Sequence, residues 1–353
     1  MGQGGERRRR AAGMNSRPRT VDVHAHILFP ELMGLAGAAG PEMGVADGAS
    51  FFRSGDYVLR GVKFVGSPFS DVAARLALMD QLGLDQQLLS PNPLTYFYAL
   101  PVADALRFCR AQNDLTAATL AAHPTRFSGF AQLPVQDVDA AIGELERAVK
   151  SLGLVGSYLG SEFGEVELAD PRLDALWAAH AVLDVPVVIH PAPVNIELPL
   201  ARQHAARRWD LDLVIGFGHD ETAAVAQLLF GGVLDRHPRL RVQIPHGGGT
   251  APYMKGRMKT ALQRRPWAKG LLSRSFEELW AQLSFDCLVG TQGAMRFLIQ
   301  SEGPSHVMLG SNFAGWDQED DIAARVTALA LAPQDTAAVL GQSASSYFKL
   351  DRS

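Results

Sequence analysis

Histidines end three apolar runs of this sequence, and their spacing is typical of metal-binding chemistry. The motif VDVHAH places His24 and His26 two residues apart at the end of the first run. In a strand, residues two apart point to the same side, so both imidazoles face one way. His190 ends VPVVIH and His246 ends RVQIPH. Neutral imidazole is a common ligand of zinc and similar ions. An isolated HxH is a weak signal, but with His190 at a second strand end the pattern predicts a metal site.

Other side chains are candidates for contact with a substrate. His246 precedes the turn Gly247–Gly249, whose flexibility we expect to leave room for a substrate. Tyr96 belongs to an aromatic cluster that either lines a pocket for a planar molecule or packs in the core. Trp316, in the segment after the last predicted strand, has the same two interpretations. His219 lies in a long predicted loop, and its role stays open.

Short apolar runs alternate with helical stretches along the chain, a pattern of parallel βαβ units. The predicted strands are Thr20–His24, Gln86–Ser90, Arg126–Leu133, Leu154–Leu159, Val185–His190, Leu240–Pro245, Leu283–Cys287 and His306–Leu309. The predicted helices are Asp71–Leu82, Val102–Ala122, Asp137–Leu152, Pro171–Val182, Glu221–Asp235, Thr250–Gln263, Gln292–Gln300 and Asp320–Ala330, followed by terminal helices within Pro333–Leu350. Eight such pairs favour an α/β fold of the (β/α)8 TIM-barrel type, which brings strand ends together at one mouth.

Two connections are too long for plain loops, His26–Ser70 and Pro191–Asp220, and we expect lids there, on the active face of the barrel. Residues 19–353 form one predicted domain. Residues 1–18, with four consecutive arginines, are a predicted disordered basic tail, in which Met14 is an alternative start.

Composition excludes several classes of protein. The 353 residues are 47% hydrophobic and 20% charged, with a net charge of −4, so neither disorder nor a broad basic surface for nucleic acid is expected. No apolar run reaches the length of a membrane span. Two cysteines in apolar stretches, Cys109 and Cys287, fit a reducing compartment, so we expect a cytoplasmic protein without membrane contact.

The motifs VDVHAH, LSPNPLTYFY, GVLDRHPRLRVQIPHGGGTAPYMKGR and LGSNF occur in this order. Together they resemble the amidohydrolase-2 family, typified by aminocarboxymuconate-semialdehyde decarboxylases. The resemblance spans residues 21 to about 330. It implies a (β/α)8 fold, one Zn²⁺ or Mn²⁺ ion, and non-oxidative decarboxylation of an aromatic or muconate-type acid. It also implies a homodimer or homotetramer.

The resemblance assigns roles to single residues. His24, His26 and His190 match metal ligands, and His246 matches the histidine that positions or deprotonates water or substrate. Lys63, with Arg60 as the alternative, takes the place of an arginine that binds the substrate carboxylate. A solvated surface lysine is an equal interpretation of Lys63.

The main departure from the family is Asn312, which stands in LGSNF where an aspartate is usual. We expect its amide oxygen to be a weak ligand that cannot carry a proton. Three neutral imidazoles would then leave the ion its full charge of about +2, which favours an anionic substrate. The proton donor stays open among five side chains: His246, His219, Asp220, Glu221 and Asp317.

The leading hypothesis is a metal-dependent carboxy-lyase acting on a small carboxylic acid. A second hypothesis is hydrolysis or hydration at the same metal. A third is a catalytically degenerate barrel that binds a small carboxylate.

Overall fold

The computed structural model describes residues 17–61, 64–164, 166–191, 208–315 and 317–350. Their strands are β1 Val21–Ile27, β2 Glu42–Ala46, β3 Ala49–Ser54, β4 Tyr57–Arg60, β5 Gln86–Pro91, β6 Phe127–Gly129, β7 Ser157–Gly160, β8 Val187–His190, β9 Val242–Ile244, β10 Leu283–Asp286 and β11 Val307–Met308. Their α-helices are α1 Val72–Leu82, α2 Val102–Ala122, α3 Val138–Lys150, α4 Asp174–Leu183, α5 Phe217–Phe230, α6 Val233–Arg236, α7 Ala251–Arg264, α8 Phe276–Trp280, α9 Gln292–Glu302, α10 Ile322–Ala328, α11 Pro333–Ala337 and α12 Ser343–Phe348.

Eight of the strands form a closed parallel barrel, as predicted. Hydrogen-bonded pairs run β1–β5–β6 and β7–β8–β9–β10–β11. The residues just beyond β6 join the two sheets, since Tyr158 N donates to Ala131 O at 2.9 Å. The other seam lies between β1 and the segment after β11, where Phe313 N donates to His24 O at 2.9 Å. Because all eight strands run the same way, their carboxyl ends meet at one mouth.

A bulge in β1 decides which residues face the barrel axis. Asp22 pairs with Gln87 and Ala25 pairs with Leu89, so β1 has one residue more than β5 over this stretch. Val23, within this bulged stretch, packs inside the barrel in the cluster that contains Tyr158, Val188 and Met308. The extra residue changes the phase of the strand, so that His24, one residue after Val23, also faces the interior.

The helices cover the outside of the barrel. The predicted ones begin within three residues of the predicted positions, except α5, which begins four residues before the predicted Glu221. Asp71 and Asp137 each accept a hydrogen bond from the third residue of the helix that follows, as an N-cap does. The main apolar core lies between these helices and the outward-facing strand side chains such as Leu89, Ile189 and Phe285. The strands are therefore buried on both faces, which explains their continuous apolar runs.

The first long connection is more than a plain loop, as expected, and contains a small domain-like insertion; its role as a lid stays a prediction. β2, β3 and β4 form an antiparallel sheet. Leu28, Phe52, Phe64 and Phe69 form a separate apolar cluster beneath it. The short strands contain glycine and charged residues, so their alternation is too weak to predict them from sequence.

The ends of the chain and of the second connection are described only in part. Residues 192–207 of that connection, and residues 1–16 of the predicted tail, lie outside the described residues. Residues 212–216 form a π-helix that leads into α5. The predicted terminal helices are present, and Leu309 N, just after β11, donates to Val339 O of this terminal segment at 2.9 Å. Among the described helices, none is long and apolar enough to span a bilayer.

Candidate functional site

Four histidines meet at the mouth of the barrel. His24 and His26 end β1, His190 ends β8, and His246 follows β9. Centroids of neighbouring rings lie 4.8–5.3 Å apart. The Nε2 atoms of His24 and His26 are 3.2 Å apart. His24, His190 and His246 each offer a ring nitrogen within 4.8 Å of the other two, a spacing that suits one metal ion. The barrel thus brings together the histidines that the sequence singled out.

Each of the four rings is held through its Nδ1 atom by a different partner. Three Nδ1 atoms lie 2.7–3.0 Å from an oxygen of another side chain: His24 from Asp286 Oδ2, His26 from Ser90 Oγ, and His246 from Glu221 Oε1. The Nδ1 of His190 donates to the carbonyl of Pro191 at 2.7 Å. These bonds orient the rings. None of them uses an Nε2 atom, so the four Nε2 atoms remain available to a ligand, an arrangement common around metal ions.

Burial keeps three of the imidazoles neutral. It lowers the pKa of His24, His26 and His190 well below the usual value, and neighbouring imidazoles lower the pKa of each further. Neutral imidazole is the form that binds a metal ion.

His246 differs from the other three histidines. Its side chain is 19% exposed. Burial lowers its pKa, but the carboxylates of Glu221, Asp286 and Asp317 outweigh that effect, so the pKa of His246 is raised. His246 is therefore the imidazole of this cluster best suited to carry a proton.

Two buried carboxylates support the cluster, and the sequence analysis missed the role of one. Asp286 ends β10 and also accepts hydrogen bonds from the backbone nitrogens of Gly247 and Leu288, at 3.2 and 3.1 Å. Burial raises the pKa of Asp286 to about 6 and that of Glu221 to about 7. An acidic residue at the end of an apolar strand was the available signal for Asp286. The sequence predicted three neutral imidazoles with no acidic group beside them. The structure corrects this, because Asp286 is hydrogen-bonded to His24 and Glu221 to His246.

Asn312 lies beside the cluster, on a turn after β11. Its φ of 55° is left-handed, a conformation that asparagine tolerates better than most residues. Its carbonyl accepts a hydrogen bond from Gly315 N at 2.7 Å. A Cβ at position 315 would lie 2.4 Å from Asn312 Oδ1, so glycine there leaves room for the asparagine side chain.

A pocket opens next to the histidines. Its polar lining consists of His26, Asn92, His190, Asn312 and Asp317. Its walls are mostly apolar: Tyr57, Leu59, Phe64, Phe69, Pro93, Leu94, Leu213 and Phe217. This lining suits a flat, largely apolar molecule with a polar group directed at the histidines.

Several predicted substrate contacts do not line this pocket. Arg60 is exposed on β4, on the face opposite to Tyr57 and Leu59. Tyr96 is buried in the barrel interior, stacked on Tyr98 with ring centroids 5.3 Å apart, so its core interpretation is the right one. His219 lies exposed in helix α5 rather than in a loop. Lys63 and Trp316 lie outside the described residues.

The glycine turn after His246 is tightly packed, which corrects the expectation of a flexible turn with room for substrate. Gly247, Gly248 and Gly249 all have φ between 60° and 72°. A Cβ at Gly249 would lie 2.1 Å from the carbonyl oxygen of Gly218, and one at Gly248 would lie 2.5 Å from the ring of Phe285. Glycine is required here for its left-handed backbone and for close packing.

Comparison with known proteins agrees with this geometry. The family model described as amidohydrolase matches residues 21–350, and the chain belongs to that family. The solved structure of a dihydroxybenzoic acid decarboxylase from Polaromonas sp. JS666, with bound manganese and the inhibitor 2-nitroresorcinol, is similar in fold. It is 24% identical, the match covers 96% of this chain and 98% of that chain, and the TM-score is 0.76.

Three curated relatives indicate the range of activities among similar proteins. A 2-amino-3-carboxymuconate-6-semialdehyde decarboxylase of Dictyostelium discoideum is 28% identical over 300 residues, 83% of this chain and 81% of that protein. A gamma-resorcylate decarboxylase of Rhodococcus jostii is 35% identical over 196 residues, 52% and 58% of the two chains. A 2-keto-4-carboxy-3-hexenedioate hydratase of Sphingobium sp. is 30% identical over 256 residues, 69% of each chain. The prediction of an amidohydrolase-superfamily enzyme with decarboxylase relatives is confirmed.

Proposed function

We propose that this protein is a metal-dependent decarboxylase of a small aromatic carboxylic acid. The observation that supports it best is the set of four imidazoles, each held through Nδ1, beside a pocket with apolar walls. The related decarboxylases give the reaction class, and the aromatic lining favours a ring over a flexible chain.

The described residues fit a divalent ion. His24, His26 and His190 are 5% exposed or less and stay neutral, so we assign them as its ligands. His246 is also spaced for a metal ion, but its raised pKa suits a proton carrier better. Asn312 is the proposed fourth ligand, through its amide oxygen. Imidazole with an oxygen ligand suits both Zn²⁺ and Mn²⁺. When bound, such an ion supplies Lewis acidity toward a carboxylate or phenolate oxygen.

The protein's own residues handle orientation and the proton. Phe64, Phe69 and Phe217 line the pocket, where they would contact the ring and keep water away from the reacting carbon. As the bond between the ring and the carboxyl carbon breaks, CO₂ leaves and the electron pair stays on the ring. His246 donates a proton to the ring carbon that carried the carboxyl group. Glu221 stabilises the protonated imidazole through its Nδ1.

The test is CO₂ release from three candidate acids, 2,6-dihydroxybenzoate, 5-carboxyvanillate and 2-amino-3-carboxymuconate-6-semialdehyde, with protein loaded with Mn²⁺ or Zn²⁺. We expect turnover of at least one of the two aromatic acids, lost after chelation and in His246→Ala; turnover of the open-chain semialdehyde alone would contradict the aromatic substrate. Turnover that survives either treatment would refute the assignment.

A second candidate is hydration at the same site, which the similarity to the hydratase favours. Mass spectrometry of the products distinguishes the two, because hydration adds one water and releases no CO₂. Asn312→Asp addresses the third hypothesis, a binding protein. Activity gained only in that variant would indicate a degenerate site, whereas loss of an existing activity would show that asparagine suits this chemistry.

The cytoplasmic location and the homodimer or homotetramer stay predictions. Sedimentation velocity of the purified protein tests the assembly.

A further inference from the structure

A fully buried arginine lies behind the proposed metal site. Arg75 of α1 donates from Nε to the carbonyl of Pro68 at 3.0 Å and from Nη1 to Gln87 Oε1 at 2.9 Å, and its Nη2 donates to the carbonyl of His26. Its guanidinium also lies 4.7 Å from the ring centroid of Phe313. The guanidinium of Arg75 thus contacts the end of β1, the segment before α1, and the turn after β11.

A fully buried aspartate completes this network on the other side of Gln87. Gln87 Nε2 donates to Asp22 Oδ2 at 3.1 Å. Asp22 also accepts hydrogen bonds from Ser311 N at 3.0 Å, from Ser311 Oγ at 2.7 Å and from His24 N at 3.1 Å. Ser311 directly precedes Asn312. The amide of Gln87 therefore connects a buried cation to a buried anion, and that anion, Asp22, bonds Ser311 across the seam that closes the barrel.

We propose that Arg75, Gln87 and Asp22 form a positioning relay that sets where Asn312 lies relative to His24 and His26. The relay holds the two chain segments that meet at the seam, one carrying the histidines and the other carrying Asn312. The inference rests on the proposed metal-binding function. None of the three relay residues lines the described pocket, so they act through the residues they hold.

The chemistry of Asn312 explains why such a relay matters in this chain. A carboxylate is drawn to a cation by its charge, whereas a neutral amide oxygen has only a dipole and binds weakly. A weak ligand contributes only if the protein holds it in position beforehand. Buried bonds on the residues immediately before and after Asn312 provide that constraint: Asp22 holds Ser311, and the guanidinium of Arg75 lies against Phe313.

The experiment uses Gln87→Met, which removes both bridging bonds at nearly constant volume, with Gln112→Met as the matched control. Gln112 is also a fully buried glutamine, but its amide donates to Thr116 in its own helix. Co²⁺ serves as the probe. Its binding constant and the visible absorption spectrum of the Co²⁺ protein are measured for both variants, in the natural chain and in an Asn312→Ala background.

We expect Gln87→Met to weaken Co²⁺ binding about tenfold or more and to change the spectrum, whereas Gln112→Met leaves both unchanged. The loss should shrink in the Asn312→Ala background, because coupled residues are not additive. An undiminished loss there overturns the role of Asn312 in the relay. Unchanged Co²⁺ binding and spectrum in Gln87→Met overturn the whole relay.

A measurement without metal separates this inference from the proposed function. Hydrogen exchange of the peptide 309–315 should be faster in Gln87→Met than in Gln112→Met. Asp22 accepts a hydrogen bond from Ser311 N, and without Gln87 it is held less firmly, so that bond protects the amide less. If Gln87→Met fails to fold, Ser311→Ala removes only the Oγ bond and takes its place. A natural chain that takes up no Co²⁺ refutes the metal site, and the exchange rates then decide the relay by themselves: equal rates overturn it.

Discussion

The hydrogen bond between Glu221 and His246 leads to a quantitative prediction. Glu221 is fully buried, and its Oε1 lies 2.7 Å from His246 Nδ1. Glu221→Gln keeps the shape of the side chain and removes its charge. A hydrogen bond to a charged group contributes about 1.5–3 kcal/mol. At about 1.4 kcal/mol for each factor of ten in rate, we expect kcat to fall about 10- to 100-fold near neutral pH.

The direction of the pH dependence follows from the same contact. The Glu221 carboxylate stabilises the protonated imidazole, so the variant lowers the pKa of His246. If His246 is the proton donor, activity declines as pH rises through its pKa. In Glu221→Gln this decline should therefore begin at a lower pH than in the natural protein.

The assay is kcat for CO₂ release between pH 5 and 9, together with an NMR titration of His246 in the metal-free protein. Glu162→Gln is the matched control. Glu162 lies just beyond β7 and interacts electrostatically with His219 and Asp220, so its loss removes a charge from the same face without touching His246. A Glu221→Gln protein with the natural kcat and the natural pH profile would refute the reasoning.

Three further predictions follow from single contacts. Asp286→Asn should weaken Zn²⁺ or Mn²⁺ binding about 10- to 100-fold by chelator competition, because Asp286 orients His24; unchanged affinity would contradict this. Gly249→Ala should destabilise the protein by at least about 2 kcal/mol more than Gly290→Ala in urea unfolding. Both glycines have positive φ, but a Cβ at Gly290 meets nothing within 4 Å, so equal losses would contradict the packing of the turn. Burial lowers the pKa of His180 to about 4, so the folded protein keeps it neutral where the unfolded chain protonates it. Stability should fall by about 2 kcal/mol between pH 7 and 5 from this residue alone, and His180→Gln should reduce that pH dependence by the same amount.

The two buried carboxylates change how the substitution at position 312 is understood. With only three imidazoles and an asparagine, the site would have had no negative charge near the ion. Asp286 and Glu221 place acidic groups behind His24 and His246, close enough to increase the basicity of one ring and to support a proton on the other. Under the proposed function, His246 and Glu221 supply the proton, and no aspartate at position 312 is needed for it.

Much of the fold followed from local patterns. The eight barrel strands lie within a few residues of the predicted runs, and Asp71 and Asp137 begin helices as expected, because burial on both faces and N-capping each leave a signal within a few adjacent residues. The insertion β2–β4 was not predicted, since its strands are short and their alternation is weak.

By itself, the sequence determined the order of the barrel strands and of the helices between them. It therefore determined the meeting of His24, His26, His190 and His246, because parallel strands of a barrel end at one mouth. Only the tertiary structure decided what holds those rings. His24 and Asp286 are 262 residues apart, and Asp22 and Ser311 are 289 apart. No periodicity connects residues at such separations; closure of the barrel brings them within hydrogen-bonding distance, and burial then makes each contact strong.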